Sequence, residues 1–226
     1  MRVIDKLRGG LIVSVQAWEG SALNDPYVLA AIAQAAEANG AVGVRMQGVA
    51  NIKAARRKLA IPIVGLIKRD YEGFQPYITP TLHEVEEAIE AGSHIVAFDA
   101  TSRPRPGGVT VAEIVEAIHA AGLLAMADCA TVADAHEAHE LGADIVATTL
   151  CGYTPGTEGW SLPAIGLVAE LAKLGSFVIG EGGISKPELV TKVLAAGAHA
   201  VVVGTAITNV DWLVREFASR AEKRVW

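Results

Sequence analysis

Four times in this chain, helix-forming sequence ends at a glycine and passes at once into apolar sequence: Asn39-Gly40-Ala41-Val42-Gly43-Val44, Ala91-Gly92-Ser93-His94-Ile95-Val96, Leu141-Gly142-Ala143-Asp144-Ile145-Val146 and Ala196-Gly197-Ala198-His199-Ala200-Val201. The glycines stand 52, 50 and 55 residues apart. A glycine in that place ends a helix in the left-handed conformation, which side chains resist. Four further apolar runs lie between these strands: Leu11 to Val15, Ile61 to Ile67, Leu123 to Ala127 and Phe177 to Gly180. Amphipathic stretches such as Pro26 to Asn39 and Thr81 to Ala91 connect them. Eight strands alternating with helices predict a parallel (β/α)8 TIM barrel, each recurrence being two βα units. An open doubly wound sheet is disfavoured because no G-x-G-x-x-G follows the first strand. No linker or shift of composition interrupts the chain, so residues 1–226 are read as one catalytic domain. The tail from Asp211 to Trp226 reads as a closing amphipathic helix, with Trp226 serving packing or a subunit contact in an expected homodimer.

Composition narrows the function classes. A hydrophobic content of 51% and a mean hydropathy of +0.35 suit a sizeable core. A net charge of −6 gives no basic face for nucleic acid. The start of the chain lacks the apolar core of a signal peptide, and no stretch reaches membrane-spanning length. Cys129 and Cys151 form neither a disulfide framework nor a zinc motif, so a cytoplasmic protein with reduced thiols is expected.

Active sites of such barrels lie at the C-terminal ends of the strands. Gln16 follows the first strand, Arg45 the second and Lys68 the third; Asp99, Thr101 and Arg103 follow the fourth and Asp128 the fifth. The sixth leads into Thr148, Thr149 and Gly152-Tyr153-Thr154, the seventh into Glu181-Gly182-Gly183 and the eighth into Gly204-Thr205. A lone lysine at a strand end would usually snorkel. In company with Arg45, Asp128 and Glu181, Lys68 reads instead as a partly desolvated base. Thr131 is the better helix cap after the fifth strand, which leaves Asp128 free to point inward. The bare turns at Gly182-Gly183 and Gly204-Thr205 suit a phosphate cradle of backbone amides, with Arg45 as a possible helper.

His136 and His139 are three apart rather than four, which fails the metal-helix pattern and reads as a solvated face. His94 and His199 start strands at the stability face, and His83 and His119 fall on helices; none is given a role. The residues alone therefore point to a phosphorylated small polyol or sugar. Proton transfer beside a carbonyl is the simplest chemistry, and a Schiff-base aldolase or lyase on Lys68 stays open.

Longer strings narrow the choice. Lys68-Arg69-Asp70-Tyr71 with Tyr77-Ile78-Thr79-Pro80-Thr81, Asp99-Ala100-Thr101 with Arg103-Pro104-Arg105-Pro106, Ala127-Asp128, Thr148-Thr149-Leu150 with Gly152-Tyr153-Thr154, and Gly204-Thr205-Ala206-Ile207-Thr208 resemble the N-acetylmannosamine-6-phosphate 2-epimerase family. The likeness runs in one register from Ser14 to Thr208. It implies interconversion of N-acetylmannosamine 6-phosphate and N-acetylglucosamine 6-phosphate by inversion at C2, in amino-sugar and sialic acid catabolism, without metal or other cofactor. It implies Lys68 as the group that moves the C2 proton and Glu181 as its acid–base partner. Gln16, Arg45, Asp128 and Tyr153 would position the sugar, and Gly182, Gly183, Gly204 and Thr205 would face the phosphate. The chain departs from the family pattern at Asn209 and Gly183, where larger basic residues are common. A phosphosugar-binding barrel without catalysis is the reading those departures motivate.

Overall fold

The structure is a computed structural model and describes residues 2–221. Eight parallel strands close into a barrel in sequence order: β1 (Leu11–Val15), β2 (Gly43–Gln47), β3 (Ile63–Leu66), β4 (Ile95–Asp99), β5 (Leu124–Asp128), β6 (Ile145–Ala147), β7 (Phe177–Glu181) and β8 (Ala200–Val203). Helices α1 (Val3–Leu7), α2 (Pro26–Ala38), α3 (Val49–Arg56), α4 (Leu82–Glu90), α5 (Val111–Ala120), α6 (Val132–Glu140), α7 (Ile165–Leu171), α8 (Pro187–Ala195), α9 (Thr205–Thr208) and α10 (Val210–Arg220) complete it. The third strand is shorter than the apolar run that announced it. The closing helix ends at Arg220, and residues 222–226, with Trp226, lie outside the described residues.

The local signals operate as expected. Gly40, Gly92, Gly142 and Gly197 have φ of 95°, 96°, 91° and 108°, so each turns the chain from helix to strand where a β-carbon would be strained. Asp25 caps α2, and Thr81, Thr110 and Thr131 each make a capping box at α4, α5 and α6. Because Thr131 caps α6, Asp128 is released to the interior.

Strand side chains alternate, and the two sets build two cores. Ile12, Val64, Leu66, Ile95, Ala97, Met126, Ile145, Ala147, Phe177, Ile179, Ala200 and Val202 fill the barrel, with Leu7 of α1 buried among them. Val13, Val44, Val96, Phe98, Ala125, Val146, Val178 and Val201 belong to the larger core shared with the helices. His94 and His199 take structural places, their Nδ1 atoms accepting from the N–H groups of Ile63 (3.1 Å) and Val178 (2.9 Å).

Candidate active site

The same period of two carries the inward face past the last apolar layer to the polar rim. Two residues beyond Ile12 and Val202 are Ser14 and Gly204. Two beyond Leu66, Met126, Ala147 and Ile179 are Lys68, Asp128, Thr149 and Glu181. Arg45 joins this face from β2, paired with Ser14 of β1 and Val64 of β3. Lys68, Arg45, Glu181, Thr149, Ser14 and Gln16 line one cavity of about 680 Å³ together with Tyr77, Tyr153 and the glycine loops.

The backbone at Lys68 is clamped. Residues 77–79 fold back along β3, making an antiparallel bridge between Lys68 and Ile78 and hydrogen bonds from Arg69 N to Tyr77 O (3.0 Å) and Thr79 N to Ile67 O (2.7 Å). Thr79 is fully buried and is the one non-glycine residue with positive φ (44°) among the described residues. Its hydroxyl accepts from Ile67 N at 3.2 Å and donates to Ala97 O at 2.6 Å, and these bonds hold the strained conformation. Lys68 Nζ lies 5.9 Å from the centre of the Tyr77 ring. Its side chain is exposed at the cavity. Partial desolvation by the surrounding wall pushes the lysine pKa down and the Arg45 charge adds to it, against the pull of Glu181 and Asp128.

Beneath the lysine lies a network of charge. Arg45 Nη1 and Nη2 donate to Asp128 Oδ1 and Oδ2 at 3.0 and 2.5 Å, a bidentate pair with side chains 2% and 0% exposed. Arg45 Nη1 is also 3.2 Å from Glu181 Oε2. Thr149 Oγ1 stands between the carboxyl groups, 2.7 Å from Asp128 Oδ1 and 3.0 Å from Glu181 Oε2. Burial alone would lower the Arg45 pKa, but Asp128 and Glu181 more than offset it and the guanidinium stays charged. Burial raises the Glu181 pKa; Arg45 opposes the rise and the Asp128 charge reinforces it. A lysine pushed down and a glutamate pushed up on one cavity approach each other in proton affinity, as an acid–base pair requires.

The glycine loops border the same cavity. Gly182 and Gly183 have φ of 102° and 67°, and Gly204 precedes the single turn of α9. A β-carbon at Gly183 would stand 2.3 Å from Leu162 Cβ, so this chain excludes any larger residue there. Asn209 Oδ1 caps α10, accepting from Trp212 N at 2.9 Å. Among the described residues, Arg45 and Lys68 are the only lysine or arginine side chains lining the cavity, and the glycine loops are bordered by backbone, Ser185, Thr205 and Asn209.

Not every expected residue lands where expected. Gln16 lines the cavity and donates from Nε2 to Ser14 Oγ at 2.8 Å, and Tyr153 leans over Gly182 with its side chain largely exposed. Asp128 differs from the expectation of direct sugar contact: it has no exposed surface, and its oxygens face Arg45 and Thr149. Nor is Arg45 free to hold a phosphate, since both arms of its fork are taken by Asp128. Asp99, Thr101 and Arg103 make a separate cluster, with Arg103 Nη2 donating to Asp99 Oδ2 at 2.6 Å. Arg69 and Tyr71 turn away to Glu84. His83, Glu84 and Glu87 stand close enough to hold a cation, but Arg69 already pairs with both carboxylates. Thr149 and Tyr77 received no role from the sequence. Counting in steps of two along β6 would have found Thr149; Tyr77 arrives by a fold-back that no local pattern announces.

Comparison with known proteins agrees with this geometry. The family described as "Putative N-acetylmannosamine-6-phosphate epimerase" matches residues 29–223. A 2-epimerase relative of that designation from Caldanaerobacter subterraneus subsp. tengcongensis is 45% identical, over 99% of this chain and 96% of its own. One from Enterobacter sp. is 43% identical, over 97% and 96%. The solved N-acetylmannosamine-6-phosphate 2-epimerase from Clostridium perfringens superposes with a TM-score of 0.94 at 40% identity, covering 98% of this chain and 97% of that one. A thiamine phosphate pyrophosphorylase from Pyrococcus furiosus, at 16% identity and a TM-score of 0.62, shares the fold alone.

Proposed function

Because this chain belongs to the N-acetylmannosamine-6-phosphate epimerase family, we propose that its single catalytic domain interconverts N-acetylmannosamine 6-phosphate and N-acetylglucosamine 6-phosphate with Lys68 and Glu181 as the acid–base pair. The enzyme is an isomerase acting on a carbohydrate derivative. The observation that carries the assignment of residues is that Lys68 and Glu181 line one cavity, with Arg45 3.2 Å from Glu181, and are displaced in opposite directions. Lys68 takes the C2 proton, the C–H electron pair passes into the enolate, and Glu181 supplies a proton to C2. The pair then carries as many protons after the reaction as before. The carbon acid is weak, so the base must be held in place while nearby charge stabilises the enolate oxygen. Gln16 and Tyr153 contact the sugar, Arg45 and Asp128 orient the acid–base groups, and Gly182, Gly183, Gly204 and Thr205 face the phosphate. Family membership favours this proton transfer over a Schiff-base lyase and over a barrel without catalysis.

Buried thiols and an exposed apolar stripe support a cytoplasmic homodimer. Cys129 and Cys151 are free and buried, which suits a reducing compartment. No helix among the described residues is long and apolar enough to cross a membrane. Val210, Val214 and Phe217 make an exposed apolar stripe at helical spacing along α10, preceded by exposed Ile207 on α9, a face that a second copy would cover.

The test is incubation with N-acetylmannosamine 6-phosphate in deuterated water, followed at C2 by NMR. The expected result is formation of the second epimer with deuterium at C2; neither epimer nor exchange would overturn the reading. Lys68→Ala is expected to abolish both while the melting curve remains cooperative.

A further inference from the structure

A hydroxyl group has one proton, and Thr149 presents its oxygen within hydrogen-bond distance of two carboxyl groups at once. It can donate to only one of them. The other contact is then either two oxygens facing each other with no proton between, which is unfavourable in a buried site, or a bond donated to Thr149 by a protonated carboxyl. The distances and partners decide which. Asp128 is the closer, at 2.7 Å, and both of its oxygens are held by the Arg45 fork, which fixes it as a carboxylate. Glu181 is farther, at 3.0 Å, and shares Arg45 Nη1, 3.2 Å away, with Asp128.

We propose that Thr149 is a positioning residue that gives its proton to Asp128 and accepts one from Glu181, so that the resting site holds a neutral Glu181 carboxyl. The groups facing Glu181 are Arg45 from β2, Lys68 from the end of β3, Asp128 from β5 and Thr149 beyond β6, while Tyr77 lies over Lys68. With Arg45 and Asp128 neutralising each other, a charged Glu181 would need Lys68 as a second counter-ion. A proton on the carboxyl removes that need, and burial of Glu181 favours the neutral form. The direction in which burial drives Glu181 agrees with it.

The proposal deepens the acid–base reading above and rests on it for its catalytic consequence. Its test is made on the substrate-free enzyme, so a wrong substrate would not confuse the two. Infrared difference spectra at neutral pH between wild type and Glu181→Gln are expected to show the band of a protonated carboxyl lost in the variant. Thr149→Val is expected to move that band to the position of an unbonded carboxyl and to lower kcat roughly a hundredfold through misplacement of Glu181. Thr149→Ser, which keeps the hydroxyl, restores both. Absence of a protonated-carboxyl band assignable to Glu181 overturns the proposal, as does a Thr149→Val enzyme with band and kcat unchanged. Should the valine variant fail to fold, the wild-type and Glu181→Gln spectra decide alone.

Discussion

Lys68 and Glu181 are displaced from their ordinary pKa values of 10.5 and 4.5 toward each other, and that sets both activity and stability against pH. A bell-shaped kcat/KM profile is expected, with both limbs between 4.5 and 10.5. The stability signs follow from linkage. Lys68 binds its proton less well folded than unfolded, so its penalty is full below the folded pKa and disappears above 10.5. Lys68→Met should therefore melt at a higher temperature than wild type at neutral pH, with the gain shrinking toward alkaline pH. Glu181 is the mirror image: its penalty is full above the folded pKa and absent below 4.5. A gain for Glu181→Gln at neutral pH should fade on acidification. Arg45 and Asp128 differ in kind, because their charges already match in a dry site. Asp128→Ala leaves a buried guanidinium short of a partner and should cost roughly 3–5 kcal/mol by urea unfolding.

At the level of elements, the site depends on two segments outside the regular strands. The fold-back at 77–79 fixes the point from which Lys68 leaves the barrel, and Thr79 is its pin. Thr79→Val removes the partner of two buried backbone groups and should lose about 2 kcal/mol of stability. A kcat that falls with little change in KM would show that the pin acts through Lys68. The second segment is the turn after β7. Gly183→Ala places a β-carbon against Leu162 at positive φ and should destabilise by about 2 kcal/mol, read from the urea midpoint. The glycine is thus demanded by the packing of Leu162, and the small residue at 183 needs no functional explanation.

On the scale of the molecule, α10 is the element without a core of its own. None of its residues is buried, and Val214 and Phe217 are 59% and 77% exposed. If this face joins two copies, Val214→Glu with Phe217→Glu should convert a dimer to a monomer in sedimentation velocity while leaving the barrel's melting curve nearly unchanged. The barrel itself was legible because its signals are local: glycines at helix ends, threonine caps and apolar runs of strand length each act within a few residues. Lys68, Glu181 and the glycine turns were legible for the same reason, as polar residues ending apolar strands. Asp128 reaches the expected rim but lies covered by Arg45 and Thr149, because a strand end does not say which side chain another will cover.

The sequence by itself determined the eightfold alternation, the order of strands around the barrel and the rim to which the polar residues belong. Chain connectivity, helix termination and the period of two are all written in neighbouring residues. Only the tertiary structure decided that Arg45 grips Asp128, that Thr149 bridges two carboxyl groups and that Tyr77 lies over Lys68. Those partners are separated by 83, 21, 32 and 9 residues and come from different strands or from a loop folding back. Which groups share a desolvated pocket, and hence which protons they hold, is settled by closure of the barrel.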